Sequence, residues 1–300
     1  MRHALALAAA ALLCAALACR APGAFVPRME GLEVEDTLGA LARSVRGAKD
    51  DRAAGEAWSA YLQRPELAPD ADLGAVKPES LGKAIRASLP QLEAVSAAGP
   101  GEAREVASSV AKLHGRSVSA RVWLVALRGD GPLEEENGRL VLNARSAVAA
   151  DPKARQALLA RAMGASLLPD TGSSLGPLAA AVYARSLGAA AALAVVPDAP
   201  LHALTGRPEE ESARLRARLP LLARELLASL DSAAPAQVDR FFGTSGTDPL
   251  VPRGAGALLS VELGSALASD LGSAEKAVRL TPGEFRRQAS QALQRMAAAP

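Results

Sequence analysis

The spacing of apolar and polar residues predicts a mainly helical chain. Over residues 36–115 the apolar side chains recur at intervals of three and four, which places them on one face of a helix. Clear stripes of this kind run through residues 38–45 and 58–62. From residue 151 to Pro300 the same spacing returns, broken by segments rich in proline and glycine. The pattern predicts a helical N-terminal region and a helical C-terminal half.

Two short segments between these regions have a different pattern. Val118–Val125 and Gly138–Ala144 are rich in β-branched and other bulky apolar residues, and both are predicted to be strands. The intervening Glu134, Glu135 and Glu136 are expected in an exposed hairpin loop. The predicted fold class is therefore mainly α with a small β element, an α+β arrangement.

Two further helices follow the predicted strands. Asp151 followed by Pro152 is a typical helix start, with the aspartate as N-cap and the proline in the first turn. Residues 179–196 are apolar enough to suggest a membrane span. Arg185 near the centre of that segment favours a buried helix of a folded domain instead. His114, at the end of an earlier helix, is expected to be a charge or a cap at the helix C-terminus.

The N-terminus has the pattern of a secretory signal peptide over residues 1–18. Arg2 supplies the positive charge, and the apolar stretch 4–18 is too short for a comfortable membrane span. The motif ALAC at 16–19 resembles a bacterial lipobox, which implies lipidation of Cys19. Leu17 stands where the commonest lipobox has a small residue, so cleavage into a secreted, soluble form stays open.

The rest of the N-terminal segment bears on location. Residues 19–35 are predicted to be a tether because proline and glycine interrupt them. Arg20 stands where inner-membrane retention is commonly signalled by aspartate. The expected location is therefore the bacterial cell envelope, at the outer membrane, with a lipid anchor as the membrane contact.

Composition excludes several classes of function. The net charge is +2 with no run of basic residues, so no nucleic-acid partner is expected. The two cysteines are Cys14, inside the signal, and Cys19, so the mature chain has neither an internal disulfide nor a cysteine-based metal site.

The segment LLARAMGASL and the order of elements around it resemble a bacterial family of zincin-like proteins, zinc-dependent proteases predicted from sequence and often lipoproteins. In that family a helix carries H-E-x-x-H, whose two histidines bind zinc while the glutamate polarises water. The resemblance places Arg161 and Ala165 at the histidines and Ala162 at the glutamate. The segment RSLG matches the family's EGLA and places Arg185 at the third ligand.

A second stretch extends the resemblance to about residues 118–297. The segment from Asp239 to Leu267 follows the family's order of paired aromatics, a loop and a glycine-rich helix, although the aromatic expected near Ala257 is absent. The resemblance implies a degenerate zincin-like domain over residues 116–300.

Neither alanine nor a guanidinium can ligate zinc, so the resemblance implies a degenerate site with no catalytic residue, no metal and no cofactor. Two arginines at positions that converge on one ion are expected close to each other or to a shared acid. Otherwise Arg161 and Arg185 would turn to the surface, and Ala162 and Ala165 would pack the gap, because unpaired buried charges are costly.

These observations leave three functions open. The first is an envelope-tethered pseudo-peptidase that binds a peptide or protein partner. The second is a serine hydrolase in which Ser174 of the motif GSSLG works with His202, which requires a strand before the serine and a helix after it. The third is a purely structural envelope lipoprotein whose groove is filled by alanine and leucine.

Overall fold

The computed structural model describes residues 31–65, 67, 76–129, 131–136, 138–171, 174–243 and 248–299, and over these it is mainly helical with a small sheet. The predicted fold class is confirmed at this level. The signal peptide, Cys19 and residues 20–30 of the predicted tether lie outside the described residues.

The sheet has four strands in the order β1-β2-β4-β3. Strands β1, β2 and β4 are parallel, and β3 is antiparallel to β4. Their bounds are Leu32–Asp36 for β1, Ala120–Val125 for β2, Leu133–Glu136 for β3 and Arg139–Asn143 for β4.

Two of these strands correct the sequence-based prediction. Residues 32–35, predicted to belong to the tether, are part of β1, which pairs with β2 with Val34 opposite Val122. The glutamate segment predicted to be a loop is β3, with Glu136 opposite Arg139 across a tight turn. Gly138 has a φ of 76°, a conformation that suits glycine in such turns. Both strands are short and acidic, and pairing with a neighbouring strand stabilises them more than their own composition does.

Three helices form the N-terminal region: α1 at Leu38–Gly47, α2 at Asp51–Leu62 and α3 at Pro78–His114. The two predicted stripes are buried, with Trp58 only 1% exposed. Helix α3 continues through Pro90 and Pro100 and ends at His114, and the following Gly115, with a φ of 66°, forms a left-handed C-cap.

The C-terminal half is helical, as predicted. Asp151 caps α5 by accepting a hydrogen bond from the backbone amide of Lys153. The helices are α4 at Ala147–Ala150, α5 at Pro152–Ser166, α6 at Pro177–Val195, α7 at Leu201–Thr205, α8 at Glu209–Arg216, α9 at Leu219–Ser229, α10 at Ala236–Phe242, α11 at Ala255–Asp270, α12 at Ala274–Val278 and α13 at Pro282–Ala298.

Helix α6 lies at the junction of two hydrophobic clusters. One cluster joins the sheet with α1, α2, α3 and α5, and the other joins α6 with α9, α11 and α13. Ala189 and Ala192 of α6 belong to the first, and Leu187 and Ala190 belong to the second. The predicted regions 36–115 and 116–300 accordingly fall within one compact unit that begins at Gly31.

Among the helices that the structure describes, α6 alone is long and apolar enough to cross a membrane. In the most apolar 18-residue stretch of this helix, 61% is buried inside the protein. This agrees with the expectation of a core helix.

His114 is buried, so it is not the charge at the helix C-terminus that the sequence predicts. Its ring lies close to Gly164 of α5, and its Nε2 atom has no hydrogen-bond partner. Burial, with added repulsion from Arg116 and Arg279, lowers the pKa of His114 to about 4. Helix α5 covers the end of α3 and buries the imidazole. The imidazole is therefore neutral at physiological pH.

Candidate functional site

Helices α5 and α6 approach each other through small residues. A Cβ atom at Gly164 would lie 2.6 Å from the Cβ of Ala191, and one at Gly188 would lie 2.7 Å from the carbonyl oxygen of Arg161. Only glycine permits backbones to come this close. The close approach brings the side-chain positions on the two helices to a common cavity.

That cavity has a volume of about 500 Å³ and is lined by all four positions that the resemblance singled out: Arg161, Ala162, Ala165 and Arg185. The prediction that the two arginines lie close together is confirmed. Ala162 and Ala165 are both partly exposed, so they do not fill the gap. The remaining walls come from β3, β4, α6, α7, α11 and residues beside them, through Pro132, Leu133, Glu135, Leu140, Ala184, Ala189, Leu204, Thr205, Gly206, Ala257, Ser260 and Val261.

A second cavity of about 230 Å³ adjoins the first and shares Arg185 and Ala257 with it. It adds two further arginines, Arg207 and Arg253. We call the two cavities together the arginine cleft. Gly254, with a φ of 88°, keeps room for Arg207, since a Cβ there would lie 2.9 Å from the Arg207 Nε atom.

Arg161 extends into the cleft from α5 without an acidic partner among the described side chains. One of its terminal nitrogens donates to the carbonyl oxygen of Leu204. Burial and the nearby charge of Arg185 lower the pKa of Arg161 to about 10. The guanidinium remains a cation at neutral pH, in surroundings that disfavour its charge.

Arg185 is held in a different way. Its guanidinium carbon lies 4.2 Å from the centre of the Phe242 ring, a cation–π contact. The side chain is exposed to solvent at the cleft, yet the surrounding protein partly desolvates it and lowers its pKa. Among the described residues it has no ion pair. No hydrogen bond to a described residue occupies its N–H groups, so they can donate to a ligand.

The described charges of the arginine cleft are mainly positive. Against its four arginines stand Glu135, exposed on β3, and Glu211, which lies 3.5 Å from Arg207. Among the described side chains neither arginine pairs with an acid, and of the two only Arg185 is exposed, so neither the shared acid nor the turn of both arginines to the surface is seen there. Instead, Arg161 donates to the Leu204 carbonyl oxygen and Arg185 lies over the Phe242 ring.

The residues of the cleft do not fit zinc. The four positions offer two cations and two methyl groups, none of which donates an electron pair to a metal. Within the described part of the chain, no group of three or more histidine, cysteine, aspartate or glutamate side chains is placed to hold a metal ion.

The alternative nucleophile Ser174 lies outside the cleft. The elements before and after it are both helices, α5 and α6, so the strand that a nucleophile elbow needs does not precede it. Its hydroxyl donates to the carbonyl oxygen of Thr171, and not to His202. The geometry therefore gives no support to the serine hydrolase hypothesis.

Neither a protein-family model, nor a curated protein, nor a solved structure matches this chain. Its function is therefore argued from the geometry and chemistry of the arginine cleft.

Proposed function

We propose that this protein is an envelope-tethered, non-catalytic binding protein related to the zincin-like proteases, and that its arginine cleft receives a segment of a peptide or protein partner. The observation that carries the proposal is the open cleft at the positions where those proteases hold their metal. Its volume of about 500 Å³ lies in the range of ligand-binding pockets.

The chemistry of the cleft favours binding over catalysis. A general acid or base works best with a pKa near the operating pH, whereas Arg161 has a pKa of about 10. Arginine and alanine can bind and shape a ligand but do not activate water at neutral pH.

A purely structural role fits the cleft less well. In a structural seam, apolar side chains would close the space between α5 and α6, as they do around Gly164. At the other end of the same helices the space stays open and is lined by two cations without described acidic partners. Partly buried charges of this kind cost stability, which favours a role in binding.

Filling the cleft tests the binding function. Ala257 lies on the wall shared by both cavities, so Ala257→Trp is expected to abolish retention of peptides from a random short-peptide mixture on the immobilised protein. Ala217→Trp, at an exposed position just after α8, is the matched control and should retain peptides like the wild type. Peptide recovery is measured by mass spectrometry. Equal recovery from the wild type and Ala257→Trp would refute the proposal.

Anchoring through Cys19 gives a separate prediction. We expect Cys19→Ala to move the protein from the membrane pellet to the soluble fraction, because stable anchoring of such a chain depends on its lipid. Cys14→Ala, inside the signal peptide, is the control and should leave the mature protein in the pellet. Fractionation and incorporation of a labelled fatty acid are the measurements. A Cys19→Ala variant that still pellets, with no label in the wild type, would show that there is no lipid anchor.

A further inference from the structure

We propose that the arginine cleft recognises its ligand through a carboxylate bound at Arg161 and Arg185, so that the segment it takes is an acidic or carboxyl-terminal peptide; this rests on the proposed peptide-binding function.

The positive charge of the cleft lacks an acidic partner among the described side chains at Arg161 and Arg185. Arg161 is partly buried, is repelled by Arg185 and, within the described part of the chain, donates to a backbone carbonyl oxygen alone. A carboxylate between the two guanidinium groups would offset both the repulsion and the lost solvation. Charge-assisted hydrogen bonds of this kind are about twice as strong as neutral ones.

Both guanidinium groups are held in place before a ligand binds. The Arg185 guanidinium carbon lies 4.2 Å from the centre of the Phe242 ring, and the Leu204 carbonyl holds one nitrogen of Arg161. Both groups keep further N–H donors for a ligand. The planar fork of arginine matches the two oxygens of a carboxylate, and less rotamer freedom is lost on binding when the fork is already held.

Charge is distributed unequally between the two cavities. Glu135 lines the larger cavity, whereas the described lining of the smaller one includes three arginines, of which Arg207 pairs with Glu211, and no acid of its own. A carboxylate is therefore best placed at Arg185, where the cavities meet. The apolar wall of the larger cavity then contacts the adjoining part of the peptide, through Leu133, Ala162, Ala165, Ala184, Ala189 and Val261.

Two other cavities on the described surface contain an arginine that pairs with an acid of the protein itself. On the open face of the sheet a cavity of about 420 Å³ contains Arg121, which pairs with Glu33 at 2.9 Å. Beside α1 and α3 a cavity of about 350 Å³ contains Arg43 and Arg46, and Arg46 pairs with Glu93. Arg161 and Arg185 have no such acid among the described side chains.

The test uses three fluorescent peptides with one alanine- and leucine-rich core: one with a free terminal carboxylate, one amidated at that end, and one amidated but carrying an internal glutamate. Binding to the purified full-length protein is followed by anisotropy at about 0.15 M salt, where exposed charges are screened. We expect at least one carboxylate peptide to bind about tenfold or more tightly than the neutral amide. Comparison of the two carboxylate peptides shows whether the cleft prefers the carboxylate of a chain end or that of an acidic side chain.

Charge-matched variants then locate the carboxylate. Arg161→Gln and Arg185→Gln should each remove most of the preference for a carboxylate, whereas Arg214→Gln, an exposed position on α8, should leave it unchanged. Without peptide, Arg161→Gln should melt at the same temperature as the wild type or higher, because it removes an uncompensated cation. A lower melting temperature with an unchanged carboxylate preference would mean that Arg161 is structural and would overturn the inference.

The remaining outcomes separate the two proposals. Equal binding of acidic and neutral peptides by the wild type overturns the carboxylate inference and leaves peptide binding intact. Failure of every peptide to bind overturns the proposed function as well. Displacement by inorganic phosphate at concentrations similar to those of the acidic peptides would assign the cleft to a phosphate ligand and overturn the peptide assignment.

Discussion

Three substitutions in the arginine cleft, Arg161→His, Ala165→His and Arg185→Glu, are expected to create a zinc site in a protein that we expect to hold no stoichiometric zinc. Arg161 and Ala165 are one helical turn apart on α5, and both line the same cavity as Arg185 on α6. Two histidines and one glutamate in this arrangement form a common catalytic zinc set with an open position. We expect about one zinc ion per chain after dialysis, measured by elemental analysis.

A matched control tells whether zinc binds because zinc ligands are added or because the repulsion between zinc and the two arginines is removed. Arg161→Ala combined with Arg185→Ala removes both cations but adds no donor, so it should remain free of zinc. If the folded triple variant takes up no more zinc than this control, the assignment of these positions to a former metal site is wrong. Stoichiometric zinc in the wild type, lost on substitution of cleft residues, would contradict the metal-free proposal itself.

Replacing Gly82 with alanine is expected to destabilise the N-terminal region by about 3 kcal/mol or more. A Cβ at Gly82 in α3 would lie 1.6 Å from the carbonyl oxygen of Asp51, and one at Gly55 in α2 would lie 1.8 Å from that of Pro78. Both obstacles are backbone atoms, so no change of side-chain rotamer can relieve the clash, and α2 must move away from α3. The free energy of unfolding is measured by urea denaturation followed by circular dichroism.

Gly101 offers a control on the same helix. A Cβ there meets nothing within 4 Å, so Gly101→Ala should stabilise the protein by roughly 0.5–1 kcal/mol through lower entropy of the unfolded chain. Comparison of Gly82→Ala with Gly101→Ala separates the steric effect at the contact of α2 with α3 from the helix propensity of alanine. Similar stabilities for Gly82→Ala and Gly101→Ala would show that α2 and α3 do not pack through these glycines.

Much of the helical framework was predictable because its signals are local. The stripe around Trp58, the cap at Gly115 and the start at Asp151 each depend on residues within a turn or two of the chain. The meeting of Arg161 and Arg185 was also predicted, although by resemblance to a family rather than by periodicity. The glycines at 164 and 188 then show why α5 and α6 can bring the two side chains to one cavity.

Features that depend on distant partners were not visible in the sequence. Strand β1 pairs with β2, which lies 88 residues further along the chain. The five-residue segment of β1 is too short and too acidic to be predicted as a strand on its own. The sequence around His114 predicts a charge or a cap at the helix C-terminus, but in the folded protein α5 buries this residue. Arg207 and Glu135 lie far apart in sequence and carry no motif, so no local signal assigns either of them to the lining of the arginine cleft.

The arrangement of charge in the cleft shows the same division. Sequence was enough to establish that zinc has no ligands at residues 161, 162, 165 and 185, because the identity of a side chain settles whether it can donate an electron pair. It was not enough to establish whether the vacated space is packed or open, or what holds the arginines. Those answers depend on how closely α5 and α6 approach and on where Leu204 and Phe242 lie, and these are properties of long-range packing that no local pattern encodes.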